Sequence, residues 1–464
     1  MKEEIWLEGR HAEKLLKVLV CTLIISVMNV AMFNVVLPQI SQEFDLAPSQ
    51  VSWIMTSYMI LYAVGTVTYG KLADTIKLKN LVTFGLVLFA LGSLTGLTAA
   101  TYGMVILGRV LQAAGAAVVP AIAMQIPVRY FPPERRGLAL GTTATGLALG
   151  AALAPIMAGV ISSAGNWRML FALSLLSLIT LPFYRKYLPE DVPGGGKPSV
   201  WGGALLAGTV AFFLLTITTG SWLALLAGGV LLLLLVLHIR YATDPFIQPS
   251  LFRNKPFVMA MVLSFLVVGV MMGIPFLLPQ LLADVHHLTP AMIGLLMFPG
   301  ALAAAIMGRQ GGKLADAKGN PYLVYLAAIL LFACFAPLAV IAGFTPYWMI
   351  LFLILGNVGQ TFMQVGLSNT ISRTLPRDQI GVGMGLFSMS NFISGAAGAA
   401  VIGKVLDGGS ALRLIPLGSP ESGVYSNMFV AMTLLIVLVS VLYARQFGST
   451  RPELKPGNPE RQVG

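Results

Sequence analysis

The sequence predicts an all-α polytopic membrane protein whose fourteen transmembrane helices are arranged as six, two and six. Three observations carry this prediction: an apolar composition cut into span-length runs, a basic charge confined to alternate loops, and an internal repeat. Of the 464 residues, 57% are hydrophobic and 10% charged, and the mean hydropathy is +0.84. Water-soluble domains carry about 25% charged residues, so the soluble globular classes are excluded. The apolar runs follow one another with short breaks. They match the roughly 20 residues a helix needs to cross about 30 Å of hydrocarbon, whereas barrel strands would alternate and be half as long.

The first six spans fall at 15–37, 51–72, 80–100, 102–123, 137–160 and 168–188. A pair follows at 200–219 and 221–241, and six more fall at 256–281, 290–311, 321–343, 346–371, 379–405 and 425–445. Residues 1–17 are charged and polar and the first apolar run is long enough to cross, so no cleavable signal is expected.

A formal net charge of +11 could suggest nucleic acid, but the placement of the basic residues decides otherwise. All Lys and Arg residues but four lie at the N-terminus, in the even-numbered breaks or at the C-terminus. The exceptions are Arg168 and Arg413 in opposite loops, Lys404 near a span end and Arg109 inside a span. By the positive-inside rule both termini are expected on the cytoplasmic side of a bacterial cytoplasmic membrane, and the basic balance reflects topology. Trp53, Trp167, Trp222 and Trp348 fall at the predicted outer ends, as an interfacial aromatic belt requires. Cys21 and Cys334 each sit within a span, so neither a disulfide framework nor a metal site is implied.

The repeat fixes the organisation. GKLAD at 70–74 recurs at 312–316, an offset of 242, and RYFPPERRGLALG (129–141) aligns with RTLPRDQIGVGMG (373–385) at an offset of 244, which also relates Gly159 to Gly403. Two copies of one six-helix unit in the same orientation follow. Such parallel repeats are a transporter arrangement, with the substrate site near the midplane between halves. The predicted organisation is an N-terminal bundle at 1–188, a linker and inserted two-helix hairpin at 189–255, a C-terminal bundle at 256–446 and a cytoplasmic tail at 447–464. Between the Pro/Gly-rich PEDVPGGGKPS and ATDPFIQPSLFRNK, the hairpin stretch 201–237 has no ionisable residue and is expected to face mostly lipid.

GKLADTIKLK (70–79) resembles the loop signature of the major facilitator superfamily, ILGRVLQAAGAA (106–117) its fourth-helix motif, and GLALGAALAPIMAG (146–159) its fifth-helix antiporter motif. NVVLP (34–38) and DPFIQPSLFRNKPF (244–257) resemble the fourteen-helix drug:proton antiporter branch, and among its members Gram-positive tetracycline efflux proteins. The resemblance spans essentially the whole chain. It implies the major facilitator fold, no enzymatic activity, and export of an amphipathic compound, tetracycline-like, in exchange for protons by rocking of two bundles.

The residues carry their own reading. Gly70 and Gly312 allow two helices to approach closely at a membrane boundary. Asp74 and Asp316 cap a helix or pair with Lys77, Lys79 or Lys318 in one state of a conformational switch; the alternative is loop punctuation beside topogenic lysines. Arg109, the one ionisable residue well inside a span, costs about 3 kcal/mol on insertion scales and demands a partner. It either bonds neighbouring helices or serves transport. Relatives in this branch offer a first-helix or fifth-helix acid; here the matching residues are Asn29, Val30 and Ala151, and the usual Gly-Pro is Ala154-Pro155. Arg109 therefore falls to Asn29, backbone carbonyls, water or an anionic substrate group.

Coupling and gating are expected from Asp74, Arg109, Gly70, Asp316, Gly312 and Pro155. Asn357, Gln360, Thr361, Gln364 and Ser368 share one helical face, as do Thr22, Ser26 and Asn29, so two helices each have one wet face. By the resemblance these helices line the central cavity; the alternative is interhelical hydrogen bonding. Asn34, Tyr58, Tyr62, Gln112 and Asn391 complete the candidate cavity, and the paired tyrosines can stack with an aromatic substrate or simply pack. No nucleotide-binding loop, Cys cluster or nucleophile elbow appears, and His286 and His287 lack spaced partners, so no cofactor and no metal is expected. The expected partners are a small-molecule substrate, a proton or other monovalent cation, and the bilayer; a monomer is expected. Rival readings are an uncoupled facilitator or exporter of an anionic metabolite or lipid, and a non-transporting sensor or assembly factor.

Overall fold

The computed structural model describes residues 9–73, 76–131, 133–163, 165–189, 200–241, 249–375, 380–409, 414–415 and 420–447. Fourteen helical spans among them are long and apolar enough to cross a membrane. The first bundle contains α1 (Gly9–Phe44), α2 (Pro48–Leu72), α3 (Leu78–Leu97), a fourth span divided into α4 (Tyr102–Ala116) and α5 (Val118–Tyr130), and α6 (Pro133–Ser163). Its sixth span passes from α7 (Met169–Ser174) through a 3-10 segment (Leu175–Thr180) into α8 (Leu181–Tyr187). The inserted hairpin is α9 (Val200–Thr219) and α10 (Trp222–Tyr241). The second bundle opens with α11 (Lys255–Met271), a π turn (Gly273–Leu277) and α12 (Leu278–Asp284). It continues with α13 (Pro290–Lys318), α14 (Asn320–Ile341), α15 (Met349–Arg373), α16 (Ile380–Gly408) and α17 (Gly423–Phe447).

Helices overrun the predicted spans because apolarity marks the hydrocarbon, not the end of the hydrogen-bonded backbone. α1 has 36 residues and α6 has 31, their polar ends continuing the helix beyond the apolar run. Starts are set by caps: Thr101 accepts from the Met104 N–H, Asn254 from that of Phe257 and Thr289 from that of Met292. Within the first bundle small residues bring α3 and α4 together; a Cβ on Gly108 would stand 2.9 Å from the Gly96 nitrogen.

The repeat is visible in the contacts between bundles. Gly159 of α6 lies against Pro290 and Ala291 of α13, and Gly403 of α16 lies against Pro48 and Ser49 of α2. Each pair is displaced from its twin by the offsets read in the sequence. Two seams therefore join the bundles, α2 with α16 and α6 with α13, and both close on the side opposite to that where α1 begins and α17 ends. There Asp407 Oδ1 accepts from the Ser49 N–H at 2.9 Å, a carboxylate at the positive end of α2. Nearer the midplane Thr56 Oγ1 donates to the Ala396 carbonyl at 3.2 Å, and Gly294 lies so close to the Pro155 carbonyl that a Cβ would overlap it.

The hairpin departs from the expectation of a mostly lipid-facing pair. α10 does face outward, with Trp222, Leu223, Leu226 and Val230 exposed. α9 instead packs along the α2–α16 seam: Leu206 and Ala207 join a cluster with Ala63, Val64 and Val67 of α2 and Leu386, Met389 and Ile393 of α16. Trp53 Nε1 also donates to Thr218 Oγ1 at 3.1 Å.

Candidate functional site

A cavity of about 740 Å³ lies between the bundles, lined from α1, α6, α11, α13 and α15. Its lining runs from Pro155, Met297 and Asn357 toward Leu147, Gly308 and Gln364, that is, toward the side where the chain termini lie. Its polar residues are Asn357, Gln360, Thr361 and Gln364 of α15, with Asn34 of α1. The rest of the lining is mostly apolar and includes Ala148, Ala151, Ala301, Ala304 and Ala305 of α6 and α13, Val268 and Met271 of α11, and Met272. Among the described lining residues none carries a formal charge.

The sequence reading misses the device that holds this polar face of α15 against α11. Pro275 has no N–H and cannot bond the carbonyl of Met271 four residues back, and α11 widens here into the π turn. Gln360 supplies the missing donor, its Nε2 reaching the Met271 oxygen at 2.7 Å. A proline inside an apolar span was the available signal. Gln360→Leu is expected to strand that carbonyl at a cost of about 1–3 kcal/mol and lower the melting temperature in detergent. Gln364→Leu, with no described hydrogen bond to lose, should leave it unchanged; equal melting of the two variants would contradict this assignment.

Other predicted residues lie elsewhere. Arg109 is 1% exposed and enclosed within the first bundle, and it is not part of the cavity lining. Its Nη1 donates to Asn29 Oδ1 at 3.0 Å and to Gln112 Oε1 at 3.1 Å, and Nε reaches the Ile54 carbonyl at 3.4 Å. The guanidinium stands 4.2 Å from the centre of the Phe33 ring and 4.1 Å from that of Tyr58, a cation–π pair on two faces. Asn29 in turn donates to Ser174, and Gln112 donates to Ser93 at 2.8 Å. Of the partners the sequence offered, Asn29 and a backbone carbonyl are those that hold the charge.

That requirement turns the polar stripe of α1 away from the cavity. Thr22 accepts from the Tyr184 hydroxyl at 3.0 Å, joining Asn29 inside the bundle. Tyr58 stacks on Tyr62, centroids 5.6 Å apart, and Tyr62 meets Phe392 edge-on at 4.8 Å, so the pair runs from the Arg109 site to the α2–α16 seam. Asn391 accepts from Ser264 at 3.0 Å and ties α16 to α11. Of the predicted cavity residues, Asn34, Asn357, Gln360 and Gln364 come together, as does Pro155 from the gating set. Asn29, Tyr58, Tyr62, Gln112 and Asn391 do not line the cavity in this conformation.

Gly70 and Gly312 correct the expectation of close helix approach: a Cβ on either would meet nothing within 4 Å. The tightest described backbone approaches between bundles, at Gly159, Gly294 and Gly403, lie toward the opposite ends of the helices. Asp74 lies outside the described residues, as does the side chain of Asp316. Arg168, one of the basic residues off the expected side, pairs with Glu43 at 2.6 Å, which neutralises its charge there.

Two like-oriented six-helix bundles closed at one end around a mostly apolar cavity define a membrane transporter. The chain belongs to the Major Facilitator Superfamily, whose sequence profile matches residues 19–399. It is 24% identical over 383 residues to the Riboflavin transporter RibZ of Clostridioides difficile (strain 630), covering 81% of this chain and 84% of that one. It is also 24% identical over 413 residues to the Methylenomycin A resistance protein of Streptomyces coelicolor, covering 85% and 87%. Among solved structures, a bacterial homolog of the human lysosomal transporter Spinster, in an inward-facing and unoccupied conformation, superposes with a TM-score of 0.67 at 16% identity, covering 95% of this chain and 98% of that one.

Proposed function

We propose that this transporter exports amphipathic, drug-like compounds in exchange for protons, by alternating access, from a bacterial cytoplasmic membrane in which both termini face the cytoplasm. The observation that carries the reading is the mixed lining of the cavity: amides and a hydroxyl among Ala, Val and Met side chains, around a space large enough for a compound of several rings. A relative named for antibiotic resistance and another named for riboflavin transport support an organic small molecule as cargo. The proton part is supported by the antiporter-like motifs and assigns the protonation step to Asp74 in the GKLAD loop, a conformation-dependent partner for the neighbouring basic residues. One observation favours a second reading, an uncoupled facilitator: no carboxylate lines the cavity among the described residues.

Everted vesicles with an imposed pH gradient separate the two. Tetracycline and a panel of amphipathic dyes are followed with wild type and Asp74→Asn. Gradient-driven uptake of at least one compound, reduced at least tenfold by Asp74→Asn, is the expected result. Uptake that ignores the gradient would establish the facilitator, and no flux of any compound would sink the transport reading as drawn.

A further inference from the structure

Beside the seam that the hairpin covers, the bilayer-facing surface carries a groove of about 570 Å³ between α2, α4 and α9. Its walls include Trp53 of α2, Ile106 of α4, and Ala211, Phe212 and Leu215 of α9. Along α9 the lining extends from Thr219 to Ala211, about 12 Å at 1.5 Å per residue. At its mouth α9 ends and α2 and α4 begin, on the side opposite the termini, so the groove descends from headgroup level into the hydrocarbon of that leaflet. The exposed Trp222, where α10 begins, stands at the same level.

The donors along the walls are already spent. Trp53 Nε1 donates to Thr218 Oγ1 at 3.1 Å and the Tyr102 hydroxyl to the Gln50 carbonyl at 2.8 Å. Thr218 Oγ1 donates to the Leu214 carbonyl at 3.1 Å and Thr219 Oγ1 to the Leu215 carbonyl at 2.7 Å. What the groove presents below its mouth is therefore apolar surface. Left unfilled, such walls forfeit their dispersion contacts, and water finds few polar partners to hold it there. Hydrocarbon chain is the matter that the bilayer supplies at this depth.

The mouth differs in character. It is formed by Ser49 and Gln50 in the first turn of α2 and by Tyr102 and Gly103 in the first turn of α4, the positive ends of two helix dipoles. That of α2 is met by the Asp407 carboxylate, whereas no described carboxylate bonds the first turn of α4. A phosphate above and a chain below complement these two ends.

We infer that this groove is a phospholipid site: one acyl chain lies between α4 and α9 against Trp53, and the phosphate rests over the first turn of α4. The occupant comes from the leaflet opposite the termini and is seated against α2, a helix of the α2–α16 seam.

The test titrates phosphatidylcholine, brominated in the upper half of one chain, into the purified full-length protein in dodecyl maltoside. Bromine quenches indole fluorescence on contact, and the difference between wild type and Trp53→Phe isolates the signal of Trp53. Saturable quenching of that signal, with a stoichiometry of one lipid per protein, is the expected result. Ala211→Phe and Gly103→Leu place bulk in the groove from its two sides; a Cβ on Gly103 meets nothing closer than Thr101 Oγ1 at 4.0 Å. Each should raise the lipid needed for half-maximal quenching at least tenfold, and size-exclusion profiles establish that each folds. Diacylglycerol with the same brominated chain lacks the phosphate and should also require at least tenfold more. Quenching that merely follows the lipid fraction of the micelle, unchanged quenching in both folded variants, or equal binding of the diacylglycerol overturns the inference. Displacement of the lipid by tetracycline would assign the groove to cargo, and a dimer that excludes the lipid would assign it to a second copy of the chain; either result also overturns it.

Discussion

Arg109→Ala is expected to abolish transport and to lower the melting temperature of the detergent-solubilised protein by many degrees, although the residue does not line the cavity. Its removal leaves Asn29 Oδ1 and Gln112 Oε1 without this donor and takes a second bond from the Ile54 carbonyl, which lies within the helical ladder of α2. Each acceptor stranded in a buried site costs about 1–3 kcal/mol. The two flanking rings lose a desolvated cation–π contact worth about 2 kcal/mol, and a void remains where α1, α2 and α4 meet. Arg109→Lys keeps the charge but not the planar fork that reaches two amide oxygens while lying between rings, and should fall between wild type and Arg109→Ala. The joint change Arg109→Met with Asn29→Leu removes charge and acceptor together and should be less destabilised than Arg109→Ala, because replacing both partners by apolar groups avoids the unpaired remainder. Thermal unfolding followed by fluorescence-detected size exclusion orders the variants. If Arg109→Ala melts with wild type, the residue is not the keystone of this bundle.

The second large effect belongs to the twin seams. Gly294 admits no Cβ against the Pro155 carbonyl, and one on Gly403 would stand 2.7 Å from the Pro48 carbonyl, in both cases against backbone that cannot swing aside. Gly294→Ala and Gly403→Ala therefore push the closed seams apart, with an overpacking cost of about 1–3 kcal/mol. That cost falls on the conformation described here and not on one in which the seams have parted, so the populations shift by about tenfold for every 1.4 kcal/mol. A cysteine placed at Ser52, fully buried beside Gly403, reports the change. In a Cys21→Ser background, labelling by a membrane-impermeant maleimide from the side opposite the termini is expected to accelerate at least tenfold in both glycine variants. Gly70→Ala and Gly312→Ala, where a Cβ meets nothing, should not accelerate it. Slow labelling in all four would mean that these contacts do not hold the seam.

Much of the fold was legible because two strong periodic signals, span-length apolarity and alternating basic loops, act over the whole chain, and the repeat offsets survive as contacts at Gly159 and Gly403. The partner of Arg109 was legible for a different reason: an intramembrane cation needs an acceptor, and Asn29 offers an amide oxygen within the first span. The facing of Thr22, Ser26 and Asn29 was not legible, since periodicity shows that a helix has a polar side but not which neighbour it turns to. Here the claim of Arg109 on Asn29 settled it. The role of Gln360 was hidden because it depends on the backbone of another helix, freed by Pro275. The close approach expected of Gly70 and Gly312 was not met, because a glycine in a loop motif does not say whether a neighbouring helix lies against it.

The hairpin has a consequence for the shape of the protein within the sheet of lipid. Repeat symmetry alone would make the molecule look alike from two opposite flanks. With α9 laid over one seam and α10 outside it, one flank is two helices thicker, and the other presents α6 and α13 with Leu149, Leu153, Leu302 and Ile306 bare. The transporter thus has a front and a back in the plane of the bilayer. Neighbours that crowd it, whether lipids or other proteins, meet a padded flank on one side and the moving joint itself on the other.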